Sequence, residues 1–398
     1  MHDSPPLTRR RFIGQTGCAA LGTTGLLSTL LNIGLASRVS AADPRDYKAM
    51  ICLFLLGGND SYNMLIPAGA EEYKFYTEIR GGLHDGAANA SGLALPLPSL
   101  LPIQPRNIPG RPFALHPGLA ELQELFQAGH LAMVANVGSL KEPFRDVAQY
   151  RKQRAEWPLG LFSHSDQQQQ WQTCMPDVRS GVGWAGRAMD ILGKEQDPTR
   201  RSTFNISLSG MNILQTGREI VPYTLSTKGL AGLKGYDPEF HANEHSSLRE
   251  QAIQARTEAM DSMMQGIYYN VFERTYAKIT RGAQDSFEQL REDLREDAFP
   301  AWTPQEDVHL EQQLKMIANT IEAYRGSGVR RQTFFVAVGG FDMHSELINA
   351  QAELLPMISR SVGNFWKHLP EKVKPKVTLF TASDFARTLT GNGQGSDH

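Results

Sequence analysis

The run Ala49-Met-Ile-Cys-Leu-Phe-Leu-Leu56 is apolar without a break and stops at Gly57-Gly58-Asn59-Asp60. A run of that length with no polar face suits a strand buried on both sides, as in a parallel sheet covered by helices. Three later stretches share the character: Leu131–Val137 ending at Gly138, Thr333–Val338 ending at Gly339, and Val377–Thr381. Between them apolar residues recur at helical spacing. Leu119, Leu122, Leu125 and Phe126 predict a helix over about 117–128, and Leu310, Leu314, Ile317 and Ile321 predict another over 306–325, stopped by Gly326-Ser-Gly328. A further helix is expected over 346–369. Strands alternating with helices in this way predict an α/β fold, with a largely parallel central sheet and helices on both faces.

Other segments interrupt that alternation. Residues 81–112, rich in Gly, Pro, Asn and Leu without a period, read as a long excursion, and 203–226 as strand-like pieces between Gly and Thr turns. Residues 236–300 are polar and helical and read as an insertion or lid, with Met260, Met263, Met264, Ile267 and Tyr268 as its packing stripe. His241 and His245, four apart, fit an exposed helix face there, and His116 before Pro117 opens the helix that follows it. The chain ends at Gly393-Gln-Gly-Ser-Asp-His398, inside a Gly-rich loop, which predicts a C-terminally incomplete sequence.

The N-terminus is not part of this pattern. Thr8-Arg9-Arg10-Arg11-Phe12-Ile13 precedes a weakly apolar run from Ala19 to Ala36 and the small residues Val39-Ser40-Ala41-Ala42. A basic start, an apolar middle and a small-residue cleavage zone make a signal peptide, and paired arginines before Phe-Ile mark the twin-arginine kind. Residues 1–42 are therefore expected to be a leader read by the twin-arginine export machinery, and 43–398 a folded domain delivered to the periplasm or beyond. Gly22, Gly25, Asn32 and Gly34 interrupt the apolar run, so no stable transmembrane span is expected after cleavage. Removing the four arginines and one aspartate of residues 1–41 takes the formal charge from −2 to −5, which gives no case for a nucleic-acid partner. Cys52 and Cys174 remain; Cys52, inside the first apolar run, reads as a buried free thiol.

The chemistry is expected where the buried runs end. In parallel α/β sheets ligands bind outside the carboxyl ends of the strands, where loops distant in sequence converge. Here those loops carry Asn59 and Asp60, then Gly339-Gly-Phe-Asp-Met-His344, then Ser383 and Asp384. Asp342 and His344 are two apart, so in extended backbone they point to one side, where a carboxylate and an imidazole can share a divalent ion. Asp397 and His398 add a terminal pair. Phe162-Ser-His-Ser-Asp166 offers Ser163 or Ser165 as a nucleophilic hydroxyl and His164 as a base or ligand. A polar surface loop accounts for it equally well.

Taken in order, the leader, Gly57-Gly-Asn-Asp-Ser-Tyr-Asn63 with Ile66-Pro67, Ser163-His164, Gly339-Gly-Phe-Asp-Met-His344, and Ser383-Asp-Phe-Ala-Arg-Thr388 followed by Asn392 and Ser396-Asp-His398 resemble a bacterial twin-arginine-exported family of unknown function, which is similar in fold to the alkaline phosphatase and sulfatase superfamily. The resemblance implies an alkaline-phosphatase-like core with a mixed sheet and a metal site of one or two divalent ions (Zn, Mn or Ca). It also implies a Ser, Thr or modified Cys nucleophile and a small anionic ester, a phosphate or a sulfate, as substrate. By the same resemblance Asp60, Asp342, His344, Asp384 and His398 are metal ligands, joined by Asp397. Ser163 is the nucleophile candidate, with His164 beside it. Two departures stand out: Asp342 and His344 are closer together than the superfamily's pair, and Phe385 stands where an imidazole would follow Asp384. A non-catalytic binding or assembly protein on the same fold is the alternative.

Overall fold

The computed structural model describes residues 46–153, 157–193, 204–227, 236–237, 240–243, 246–294, 297–324 and 329–398. The leader, the Gly326–Gly328 stop and His245 lie outside them.

The first apolar run forms β1 (Lys48–Leu55). After a one-turn helix the chain makes β2 (Leu65–Pro67), α1 (Ala70–Ile79), β3 (Leu101–Ile103), β4 (Phe113–Leu115) and α2 (Ala120–Gln127). Helices α3 (Val147–Lys152), α4 (His164–Thr173) and α5 (Trp184–Leu192) follow, then β5 (Asn205–Ser207) and β6 (Tyr223–Thr224). The remainder is α6 (Leu248–Gln265), α7 (Val271–Asp293), α8 (His309–Tyr324), β7 (Arg331–Val338), α9 (Leu347–His368) and β8 (Val377–Ser383).

Five strands form the central sheet in the order β6-β5-β7-β1-β8, and every neighbouring pair is parallel. The mixed sheet implied by the family resemblance is therefore replaced, among the described residues, by a wholly parallel one. Side chains alternate across a strand, and β1 uses both faces. Ile51, Leu53 and Leu55 join a core that includes Leu314, Ile317 and Ile321 of α8 and Leu355, Ile358 and Phe365 of α9. Cys52 and Phe54 point the other way, into a cluster with Ala185, Leu214 and Phe335 that Trp171 and Trp184 pack against. Cys52 is buried as a free thiol. Helices thus cover both faces, as the unbroken apolar run requires.

Two expectations are corrected. Leu131–Val137 is not a strand: Leu131 and Met133 pack on the main core, but Ala132 and Val134–Asn136 face solvent and no ladder forms. Asn136, at φ 56°, then turns the chain out of an extended path. The excursion over 81–112 is also more ordered than expected, because β3 pairs with β4, which pairs with β2, in a small antiparallel sheet. In the helical insertion, Met264 is buried as predicted but Ile267 is 90% exposed. Gly266 is extended and ends α6, so Ile267 leaves the stripe. Among the described residues no helix is long and apolar enough to cross a membrane.

Candidate metal centre

β7 and β8 flank β1, and the register aligns Leu55 with Val338 on one side and Ser383 on the other. The three strands consequently end side by side, and the loops that follow meet. Gly57 permits the meeting: at φ 114° it takes a conformation that side chains disfavour, and a Cβ there would lie 2.4 Å from the Asp342 nitrogen. Its own N–H points to the Asp384 carboxylate at 3.3 Å.

Three imidazoles gather over this junction. His164 opens α4, His344 follows β7, and His398 lies in the last loop, its ring centroid 4.5 Å from that of His164 and 4.9 Å from that of His344. Each has its Nδ1 engaged: His164 with Asp384 Oδ2 at 2.8 Å, His344 with Asp397 Oδ1 at 2.8 Å, and His398 with the Phe162 carbonyl at 2.7 Å. A carboxylate or carbonyl oxygen only accepts, so Nδ1 carries a proton, and in the neutral ring Nε2 is left with its lone pair. Asp342 completes the group, with Oδ2 3.5 Å from His164 Nε2 and Oδ1 3.1 Å from His344 Nε2. His164 Nε2 is buried without a hydrogen-bond partner. One ligand atom from each of His164, Asp342 and His398 lies within 4.8 Å of the others. Lone pairs converging in this way repel, and a proton or a cation among them removes the repulsion.

The pKa shifts fall on Asp342, His398 and Asp397. Partial burial pushes the Asp342 pKa up, but the Arg387 hydrogen bond and charge, helped by His164 and His344, outweigh it and hold the carboxyl below its ordinary range. Burial, with the nearby His164, Arg387 and His344 charges, lowers the His398 pKa despite the hydrogen bond to Phe162. Hydrogen bonds from His344 and Asn392 lower that of Asp397. Arg387 is buried, donating Nη1 to Asp342 Oδ1 at 2.8 Å and to the Gly57 carbonyl at 3.0 Å, and Nε to the Ser396 carbonyl at 2.8 Å.

The residues singled out from sequence divide into three groups. His164, Asp342, His344 and His398 meet directly. Asp384 and Asp397 stand one layer back, each holding an imidazole, and Gln168 Nε2 also donates to Asp384 at 2.9 Å. Asp60 is elsewhere: fully buried, it accepts from Arg80 Nη2 at 2.7 Å, Ser396 Oγ at 3.0 Å and the Tyr62 amide at 3.1 Å. Ser163 occupies the N-cap position of α4 without a side-chain capping bond, and its hydroxyl sits 3.2 Å from Ser165 Oγ. Phe385 does not leave a gap where an imidazole was expected. Its ring stacks on His398 at 4.7 Å and lies 4.9 Å from His164. Sequence reading missed Arg387, Arg80 and the Phe162 carbonyl, since nothing local distinguishes them from any other arginine or peptide group.

Residues 47–398 match the family model described as "Protein of unknown function (DUF1501)", and the chain belongs to that family. Searches of curated proteins and of solved structures returned no match.

Proposed function

We propose that the protein is an exported, metal-dependent hydrolase of phosphate or sulfate esters, built on an alkaline-phosphatase-like core. The observation that carries the metal is the His164 Nε2 atom, buried without a hydrogen-bond partner and grouped with Asp342 Oδ2 and His398. A divalent ion fits this nitrogen-and-carboxylate donor set, Zn best and Mn acceptably. His164, Asp342 and His398 would hold it, and Asp384 and the Phe162 carbonyl fix the tautomers and orientations of the two histidines. Such an ion supplies Lewis acidity toward an ester oxygen and balances the anionic substrate against three nearby aspartates.

The chain's own groups supply the remaining steps. His344 lies beside the ligand group with Asp397 behind its Nδ1, the arrangement of an oriented general base. Its Nε2 accepts the proton of an attacking water, and the resulting imidazolium is stabilised by Asp342 Oδ1 and Asp397. Water bonds to phosphorus or sulfur, the bond to the ester oxygen breaks, the departing alkoxide takes a proton from solvent, and the His344 imidazolium returns its proton to solvent. Water rather than Ser163 is the nucleophile in this reading, because the Ser163 hydroxyl is paired with Ser165 Oγ at 3.2 Å and with no imidazole. A non-catalytic binding protein on the same fold is favoured by one observation, the Phe385 ring stacked on His398 where a further ligand would stand.

The two readings separate on the purified exported protein. Near-stoichiometric Zn or Mn that disappears in His164→Ala and Asp342→Ala, with turnover of 4-nitrophenyl phosphate or sulfate abolished in His344→Ala, supports the hydrolase. A metal-bearing protein inert toward both esters supports the binding protein. A chain that takes up no divalent ion at any concentration rejects both forms of the metal site.

A further inference from the structure

Asp60, a metal ligand by the family resemblance, lies in the structure in a buried ion pair with Arg80. Both side chains are 0% exposed and joined at 2.7 Å. A buried charge pair of this kind is costly to desolvate and seldom stabilises a fold better than apolar packing would, so its placement points to a specific arrangement that it enforces. That arrangement is the last loop. Arg80 Nη1 donates to the carbonyls of Thr388 at 3.4 Å and Leu389 at 3.1 Å, while Asp60 Oδ2 accepts from Ser396 Oγ at 3.0 Å. One ion pair therefore grips both limbs of the loop, the outgoing limb through main-chain carbonyls and the returning limb through Ser396. The limbs also hold each other, through Thr388 N–H to the Asp397 carbonyl at 2.8 Å and Arg387 Nε to the Ser396 carbonyl at 2.8 Å. Asp397 and His398 follow Ser396 directly.

We infer that the Asp60–Arg80 pair is a clasp that positions the 388–398 loop, delivering His398 and the Asp397 carboxylate to the imidazole cluster, and that Asp60 is a positioning residue and not a ligand. The geometry of the other end agrees. Asp60 sits in the loop after β1 and Arg80 is the first residue beyond α1, so the clasp ties the loop to the central strand and to the helix packed beside the small sheet. Gln351 of α9 donates to the Asp60 carbonyl at 2.9 Å and fixes the same turn from behind. Lysine at position 80 keeps the charge but cannot reach Asp60 and two carbonyls at once.

Since the clasp serves the metal centre proposed above, it rests on that reading for its purpose, but its mechanical part can be tested without metal. Hydrogen exchange of the metal-free chain is measured for the amides of Thr388, Asn392 and Ser396, which are bonded to the carbonyls of Asp397, Gly395 and Met343. In Ser396→Ala, which leaves the buried pair intact, and in Arg80→Lys, these amides should exchange at least tenfold faster. Amides of β1 and β7 should be unchanged. Zn affinity by titration should fall tenfold or more in both variants, with His164→Ala as the control that removes a ligand outright. Unchanged loop exchange in both variants overturns the clasp. Exchange accelerated equally in the loop and the sheet also overturns it, in favour of general stabilisation. If the wild-type chain binds no Zn, the metal reading fails while the exchange data still decide the clasp.

Discussion

Asp384 illustrates how burial changes a residue's role. It has no solvent access, and its carboxylate is divided among the Gly57 amide, His164 Nδ1 and Gln168. Asp384→Asn keeps the shape but offers an N–H or a weaker carbonyl to His164, so the ring loses its fixed tautomer. Metal affinity should fall by about 10–100-fold, the usual cost of losing such an outer partner; a competition titration giving an unchanged affinity would remove Asp384 from the site. His116 makes a different prediction. It is buried, its Nδ1 accepts from the Gly118 amide at 3.0 Å, and burial pushes its pKa down to about 4. The folded protein thus binds the His116 proton less readily than the unfolded chain, whose histidines titrate near 6.5. The stability this confers is complete above pH 6.5 and is lost as pH falls toward 4, by roughly 3 kcal/mol. Urea unfolding of the wild type and His116→Asn at pH 7.5 and pH 4.5 should show a shallower loss in the variant, which keeps an acceptor and cannot titrate. At this scale the sequence is legible only where residue types are themselves unusual. Asp342-x-His344 announced itself, but Arg387 became meaningful only once β8 was set beside β1.

The elements were easier to anticipate, and the exceptions are instructive. β1 and β7 follow from continuous apolar runs because each is covered on both faces, whereas β8, at the sheet edge, buries Val377 and leaves Thr378 and Thr381 exposed. Leu131–Val137 has the same composition but no neighbouring strand, since hydropathy records burial and not hydrogen-bond pairing. Its half-buried side chains reach the core from irregular backbone. The small antiparallel sheet escaped notice for the opposite reason: three-residue strands with Pro67 and Pro102 leave no period to read. Helix α9 was foreseen, but its fit against α2 was not. Gly363 of α9 faces Glu121 of α2, where an added Cβ would lie 2.6 Å from the Glu121 Cβ, and Ser359 donates to the same carboxylate at 2.6 Å. Gly363→Ala should therefore overpack this seam and cost about 1–3 kcal/mol despite its better helix propensity. A denaturation midpoint equal to or above the wild type would show that the seam yields without strain.

Across the whole molecule, the candidate centre draws on segments that only folding can gather: the turn after β1, the start of α4, the loop after β7 and the terminal loop after β8. The unfolded chain offers the same histidines and aspartates scattered over more than two hundred residues, from His164 to His398. An ion held by His164, Asp342 and His398 consequently binds the folded state far better than the unfolded one, and its binding free energy adds to stability. At a free concentration a hundred times the dissociation constant the gain is about 2.7 kcal/mol. For a chain of this size that raises the melting midpoint by a few degrees. Zn should produce the rise, a chelator should reverse it, and His164→Ala should abolish it while melting near the chelated wild type. His241→Ala, at an exposed position outside the cluster, should leave the Zn effect intact. Identical melting curves for chelated and Zn-saturated protein would mean that the three imidazoles are gathered by their hydrogen bonds alone, with protons, not a metal ion, relieving their lone pairs.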